Sequence, residues 1–325
     1  MIRRLLPLLL LLTAAVAVPQ FSEASPDPAS VATARFEALA GDVTRADGAV
    51  FDARDDTGRT MDTAEITPVP GAYGGGYLAA YHTTLADGRF HTAVATSTDL
   101  RTWTRRHDFG PGTSQPSLRA DGTGGWVLAY EKDPANHIAL RHYPSLTALL
   151  TGTADRAFDA PRTLSRCAEG TPDITAVHGD TVELTGHYRA GCATDRQLRA
   201  TLRDFTVWRA RPDQRLDLAL LAWGTAGNIG DRSRIELMGH SLVLIEGQRL
   251  RDDFGSWSVY AYDPASGRAD RLGLRTPGGS GAFANPSATL LTDPDGRPAL
   301  LVSVFIPKEE SAPGESGELV YWREL

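Results

Sequence analysis

The chain is short of several things. It holds two cysteines, Cys167 and Cys192, and two lysines, Lys132 and Lys308. No HExxH or CxxC occurs, so a zinc site of closely spaced ligands is excluded. In an exported chain, an isolated cysteine pair reads as a disulfide. The scarcity of lysine leaves arginine as nearly the only cation, a mark of coding composition rather than function. No basic tract stands out and the formal net charge is −7, which makes nucleic acid a poor partner. Helical periodicity is missing too, and residues 144–150 form the best short helix candidate. Long apolar runs are absent except at residues 5–12, where Arg3 and Arg4 precede the run and Pro7 interrupts it. With Ala15-Val16-Ala17 and Ser22-Glu23-Ala24 beyond it, residues 1–24 read as a secretory signal peptide, too short to favour a membrane span. No cysteine follows the run to carry a lipid anchor, so the expectation is secretion.

What is present is a repeated hairpin. Gly170 to Arg189 opens with Pro172 and Asp173, runs through Ile174, turns at His178-Gly179-Asp180 and returns through Val182 and Leu184 to His187 and Tyr188. Short β-branched runs joined by a Gly/Asp turn are the hairpin signature. Related copies begin at Gln115-Pro116-Ser117, Ser233-Arg234-Ile235 and Asn285-Pro286-Ser287, with a looser one from Asp62 through Glu65 to Tyr81-His82. Five copies at a spacing of roughly fifty residues predict five propeller blades. The cysteines flank the Gly170 hairpin at one end, which brings them together. Residues 25–50 read as a lead-in and 51–325 as one all-β domain, a five-bladed β-propeller of four-stranded antiparallel blades. A second repeat pairs Ala95…Asp99…Trp103 with Ala200…Asp204…Trp208 at matching offsets. Its Asp suits a turn and its Trp the wedge between blades.

The Ser97-Thr98-Asp99-Leu100-Arg101-Thr102-Trp103 motif and the x-Pro-x openings of the blades resemble those of five-bladed propeller glycoside hydrolases: the arabinanases, β-xylosidases and arabinofuranosidases, with invertase-like cousins. The resemblance covers nearly the whole chain after residue 24 in architecture and implies a glycoside hydrolase-like protein acting on or binding a poly- or oligosaccharide. In that family, carboxylates at the starts of blades one, three and four act as base, pKa modulator and general acid. Carried over, these are Asp62 (with Thr63 in the usual slot), Asp173 (across Pro172 from the usual acid) and Asp231 (two before Ser233, read as the family's Pro). Glu236 and Glu246 are the other acid candidates.

The same ends of the hairpins carry further polar residues. Glu65, His82, Gln115, Glu131, Glu169, His187, Arg234, Glu246 and Asn285 are expected to contact sugar, alongside Asp133, Arg232 and Gln248. Tyr81, Tyr130, Tyr188 and Phe305 would stack on sugar rings. No cofactor or metal ligand set is read from the sequence, although an axial calcium bordered by His82 and His187 stays open. The alternatives are a carbohydrate-binding propeller without hydrolysis and a protein-interaction propeller.

Overall fold

The computed structural model describes residues 28–325, so the expected signal segment lies outside the described residues. Five four-stranded antiparallel sheets follow one another in the chain. Blade one is Asp62–Pro68, Tyr77–Thr84, Phe90–Ser97 and Thr104–Pro111. Blade two is Thr113–Ala120, Trp126–Lys132, His137–Tyr143 and Arg156–Asp159. Blade three is Glu169–His178, Thr181–Ala190, Thr194–Arg203 and Val207–Pro212; blade four is Arg232–Leu237, His240–Gln248, Trp257–Asp263 and Arg268–Arg271. Blade five takes Ala284–Thr292, Pro298–Ile306 and Gly317–Glu324 from the end of the chain, and its outer strand, Gly48–Val50, from the start. The ring is a five-bladed β-propeller closed by pairing its two ends, which leaves no open seam at blade five.

That closure corrects the expected boundary at residue 51, because the sheet already begins at Gly48. The lead-in is also more ordered than its sequence implies. Helix α1 (Pro28–Ala40) lays Phe36 and Leu39 on the core between blades four and five. Helix α2 is Leu146–Leu150, inside the predicted stretch, with Ser145 accepting the Ala148 N–H as its N-cap. Helix α3 (Gln214–Leu221) was not predicted; its short apolar face, Leu216 and Leu220, is buried on blade four.

The apolar alternation of each strand places one layer of side chains between neighbouring blades. Trp103, Tyr81 and Trp322 fill the wedge between blades five and one, and Trp126, Leu128 and Tyr130 that between one and two. Ile174, Leu184 and Leu140 fill the wedge between two and three. Leu242, Leu244, Val302 and Val304 fill that between four and five. The cluster on the other face of blade four is covered by α3 and takes no residue from blade three. Trp103 and Trp208 occupy equivalent places, each following the turn after the third strand and packing toward the preceding blade. Asp99 accepts the N–H groups of Arg101 and Thr102 in its turn, whereas Asp204 makes no such bond and instead takes a positive φ of 52°.

Cys167 and Cys192 form the expected bridge, with Cα atoms 5.5 Å apart. Chain-entropy reasoning assigns a bridge closing this loop about 3–4 kcal/mol. Reduction is expected to lower the unfolding free energy by that order, read as a shift in the denaturant midpoint.

Gly48 pairs with Trp322, and a Cβ at that position would lie 2.0 Å from the indole ring. Gly48→Ala is therefore expected to overpack the closing strand and destabilise the ring by about 1–3 kcal/mol. A thermal midpoint equal to that of the wild type would count against this account of closure.

Candidate functional site

Four of the five first strands share a distortion that shapes the site. The register slips between Asp62 and Glu65, Ser114 and Ser117, Gly170 and Asp173, and Ala284 and Ser287. Each bulge contains one residue in the left-handed region: Thr63 (φ 58°), Gln115 (50°), Thr171 (40°) and Asn285 (47°). Non-glycine residues rarely adopt this conformation, and β-branched threonine least readily. The repeated Pro116, Pro172 and Pro286 follow these residues inside the bulge, where no ladder N–H is required. Blade four has no bulge. By register Ser233 matches Ser117, so Arg232, rather than Ser233, stands where blades two, three and five have proline.

The bulges turn backbone amides sideways, and the preceding blade captures them. Thr63 and Ala64 donate to the Glu318 carboxylate at 3.1 and 3.2 Å. Gln115 donates to His82 Nδ1 at 3.3 Å, Thr171 to Glu131 Oε2 at 3.2 Å and Asn285 to Glu246 Oε2 at 2.5 Å. The other Glu246 oxygen accepts the Asp231 N–H at 2.8 Å. A second tier lies deeper. Glu65 accepts the Leu118 N–H, Ser117 Oγ that of Ile174 and Ser233 Oγ that of Ala288. Several residues expected to face sugar are thus blade-to-blade latches. Glu318, which the hairpin pattern does not flag, is one of them.

Burial makes these acids reluctant to ionise. It raises Glu65 to about 8 and Glu131 to about 7, and it raises Glu246 and Glu318 as well. Like-charge repulsion with Asp231 adds to the shift of Glu246.

Above this ring lies a cavity of about 490 Å³ reached by all five blades. Of the predicted residues, it is lined by Asp62, His82, Gln115, Glu131, Asp133, His187, Glu246, Asn285 and Phe305. The others lie elsewhere. Asp173 is buried and sits among the charges of Arg232, Arg119 and Arg234, with Thr185 Oγ1 donating to it at 3.3 Å. Asp231 packs beside Arg232 and Glu246 and does not line the cavity. Glu65 is a latch, and Glu169 clamps a loop by accepting the N–H groups of Thr163, Leu164 and Ser165. Arg234 faces a separate groove, and Glu236 is exposed on a strand outside the cavity. Gln248 is buried, donating to the Asp253 carbonyl at 3.1 Å. Tyr81 and Tyr130 are core residues, and Tyr188 packs on the core between blades two and three.

Other residues complete the cavity, among them Phe90, Arg189, Asp195, Asn228, Phe254 and Trp257. Phe90, Asp195 and Trp257 lie at or beside the starts of third strands, the same end of the disc as the ends of the second strands. Pairing such as Arg189↔Asp195 across that turn was the available signal.

Among the described residues, three that line this cavity each carry a buried polar atom with no hydrogen-bond partner: Asp62 Oδ1, Gln115 Oε1 and His187 Nε2. Arg232 Nη2 donates to Thr171 Oγ1 at 3.2 Å, and the Thr171 hydroxyl lies against His187 Nδ1. Arginine can only donate, so Thr171 Oγ1 accepts from Arg232, and the other ring nitrogen, Nε2, lies 3.7 Å from Asp195 Oδ1. Burial holds His187 near 4 and His82 near 4, so both rings are neutral. Burial raises Asp62 to about 6, against a hydrogen bond from Thr60. Burial also disfavours the Asp195 charge, but His187 and a two-pronged Arg189 pair at 3.0 and 3.2 Å hold it below the usual range. Among the described residues, no group of three or more His, Cys, Asp or Glu is placed to hold a metal ion. The cation beside the inner carboxylates is the buried Arg232.

No family model and no curated protein matches the sequence. Solved structures do match in fold. A glycoside hydrolase is 10% identical, with 92% of this chain and 96% of that one covered and a TM-score of 0.60. An α-L-arabinofuranosidase from Lactobacillus brevis is 9% identical over 81% and 90%, with a TM-score of 0.54. An α-L-arabinanase from Penicillium chrysogenum, solved with arabinobiose, is 13% identical over 86% and 98%, with a TM-score of 0.50. At such identity the likeness establishes the propeller fold.

The latch acids predict a pH dependence of stability. Glu65 and Glu131 ionise near 4.5 in the unfolded chain but only at about 8 and 7 in the fold. Their stabilising effect is complete below 4.5 and is lost as pH rises through 7 and 8. The thermal midpoint is expected to be higher at pH 5 than at pH 8, and Glu65→Gln to narrow that gap. An equal or higher midpoint at pH 8 would contradict the assignment.

Proposed function

We propose that the cavity binds the end of an oligosaccharide and that the protein hydrolyses its glycosidic bond. The observation that carries this reading is that three residues lining one open cavity, Asp62, Gln115 and His187, each hold a polar atom with no hydrogen-bond partner within the protein. Buried polar groups normally find partners, and a ligand rich in hydroxyls would supply them. Phe90, Phe254, Trp257 and Phe305 offer ring faces around the same space. Gln115 Oε1 accepts, Asp195 accepts as a fixed anion, and the neutral His187 ring pairs with a hydroxyl in either direction.

Hydrolysis needs a protonated acid and an ionised base in one site. Asp62 and Asp195 line the same cavity, and their environments push them in opposite directions. Asp62 gives its proton to the leaving oxygen, and Asp195 takes one from the water that attacks the sugar carbon. Asp62 is thus an acid here, instead of the base that its blade position implies. Asp173 and Asp231 have no direct part. Export to an oxidising compartment belongs to the same proposal and is supported by the disulfide.

One observation favours binding without hydrolysis. Thr171 occupies the blade-three slot of the resembled family's carboxylate, and Glu131 and Glu246 hold backbone amides. Chromogenic glycosides and a glycan array, applied to the wild type and Asp62→Asn, separate the two readings. Hydrolysis is expected to fall by about 10²-fold or more in the variant. In the wild type it should decline as pH rises past about 6, where Asp62 loses its proton. The thermal midpoint should equal or exceed that of the wild type, because the variant removes a carboxylate whose charge burial disfavours. Glycan binding with no hydrolysis by the wild type selects the binding reading, and no binding to any glycan refutes both.

A further inference from the structure

The junction between blades three and four differs from the other four. No shared apolar cluster joins the two blades, and Asp173, at the inner-tier position, captures no amide of blade four. The face of blade three turned toward blade four is polar along its length, with Thr185, Arg199 and Thr201 in one row and Arg209 and Arg211 beyond them. These residues and Arg234 of blade four line a groove of about 460 Å³, distinct from the ring cavity.

Its basic charge is only partly compensated. Arg199 and Arg211 stand directly opposite each other in the strand pairing, an arrangement that destabilises a sheet unless an anion lies between them. Arg199 is paired with Asp213 at 2.5 Å. Among the described residues Arg209 and Arg211 make no ion pair or side-chain hydrogen bond, and Arg234, whose buried Nε has no hydrogen-bond partner, lies near the buried Asp173. Glu183 is the one acidic residue lining the groove. Two unpaired guanidinium groups on rigid strands, with Arg234 beside them and threonine hydroxyls between, form a receptor for oxyanions.

We infer that this groove binds an anionic saccharide, a chain whose sugars carry carboxylate or sulfate groups. No aromatic side chain lines the groove, so nucleic-acid bases would have nothing to stack on. The choice of a saccharide over another oxyanion rests on the reading of the ring cavity; the oxyanion chemistry does not. The groove would hold an acidic stretch of polymer at the side of the ring while a chain end occupies the cavity.

Titration calorimetry on the full chain tests this with three probes: a galacturonate oligomer, a neutral xylose oligomer and single-stranded DNA of equal charge. The galacturonate oligomer is expected to bind the wild type and to weaken as salt rises. It should lose about tenfold or more in Arg209→Ala/Arg211→Ala and to a similar extent in Arg234→Ala. Arg209 and Arg211 are exposed and the variant relieves the Arg199/Arg211 repulsion, so its thermal midpoint should equal or exceed that of the wild type. His187→Ala, at a residue that lines the ring cavity and not the groove, should leave the groove affinity unchanged. Equal galacturonate binding by the wild type and the double variant would overturn the proposal. DNA binding as tight as galacturonate would overturn the ligand class. Loss of neutral-oligomer binding in His187→Ala alone would report on the cavity and leave the groove intact.

Discussion

The ring depends on side chains of one blade accepting backbone amides of the next. A propeller wedge buries apolar faces, but the bulged starts of its inner strands leave N–H groups that the sheet cannot satisfy. Glu318, His82, Glu131 and Glu246 take those amides in turn around the axis. An unpaired buried amide costs on the order of 1–3 kcal/mol, so these bonds fix the angle between blades more strictly than apolar contact can. They also hold Thr63 and Thr171 in backbone conformations that threonine avoids.

This constraint decides what chemistry remains available. An acid that accepts an amide from a neighbouring blade is positioned by the fold and is a poor candidate for proton transfer to a ligand. Removing the latches from the inventory of corner carboxylates leaves Asp62, Asp133 and Asp195 in the cavity. Asp62 and Asp195 are then separated by environment, the first buried with one oxygen unpartnered and the second fixed by Arg189. The contacts from Arg232 through Thr171 to His187 link the buried axis to the cavity.

The blade three–four junction is where the repeat lapses. Blade four lacks the bulge and puts Arg232 in the proline slot, and this guanidinium reaches back to Thr171 and Gly230. A charge takes over part of the bridging that apolar side chains perform elsewhere. The outer part of the same junction stays open and basic, with α3 covering the apolar face of blade four.

The repeat itself was legible in the sequence, because strand alternation, Gly/Asp turns and x-Pro-x openings are local signals. Those signals gave five blades, the end of the disc where polar residues gather, and the cysteine pairing. The closing strand at Gly48 was not legible: three residues carry too little pattern, and their partner lies at the far end of the chain. Nor was α1, whose stability comes from packing Phe36 and Leu39 on blades it follows nowhere in sequence. The division of corner acids between cavity and latch was decided only in three dimensions. A strand directs alternate residues to opposite faces, and one inserted residue changes that alternation. In blade one the bulge therefore sends Asp62 to the cavity and Glu65 to the neighbouring blade. In blade three it places Asp173 among arginines, while Asp195, a turn and a strand later, returns to the cavity.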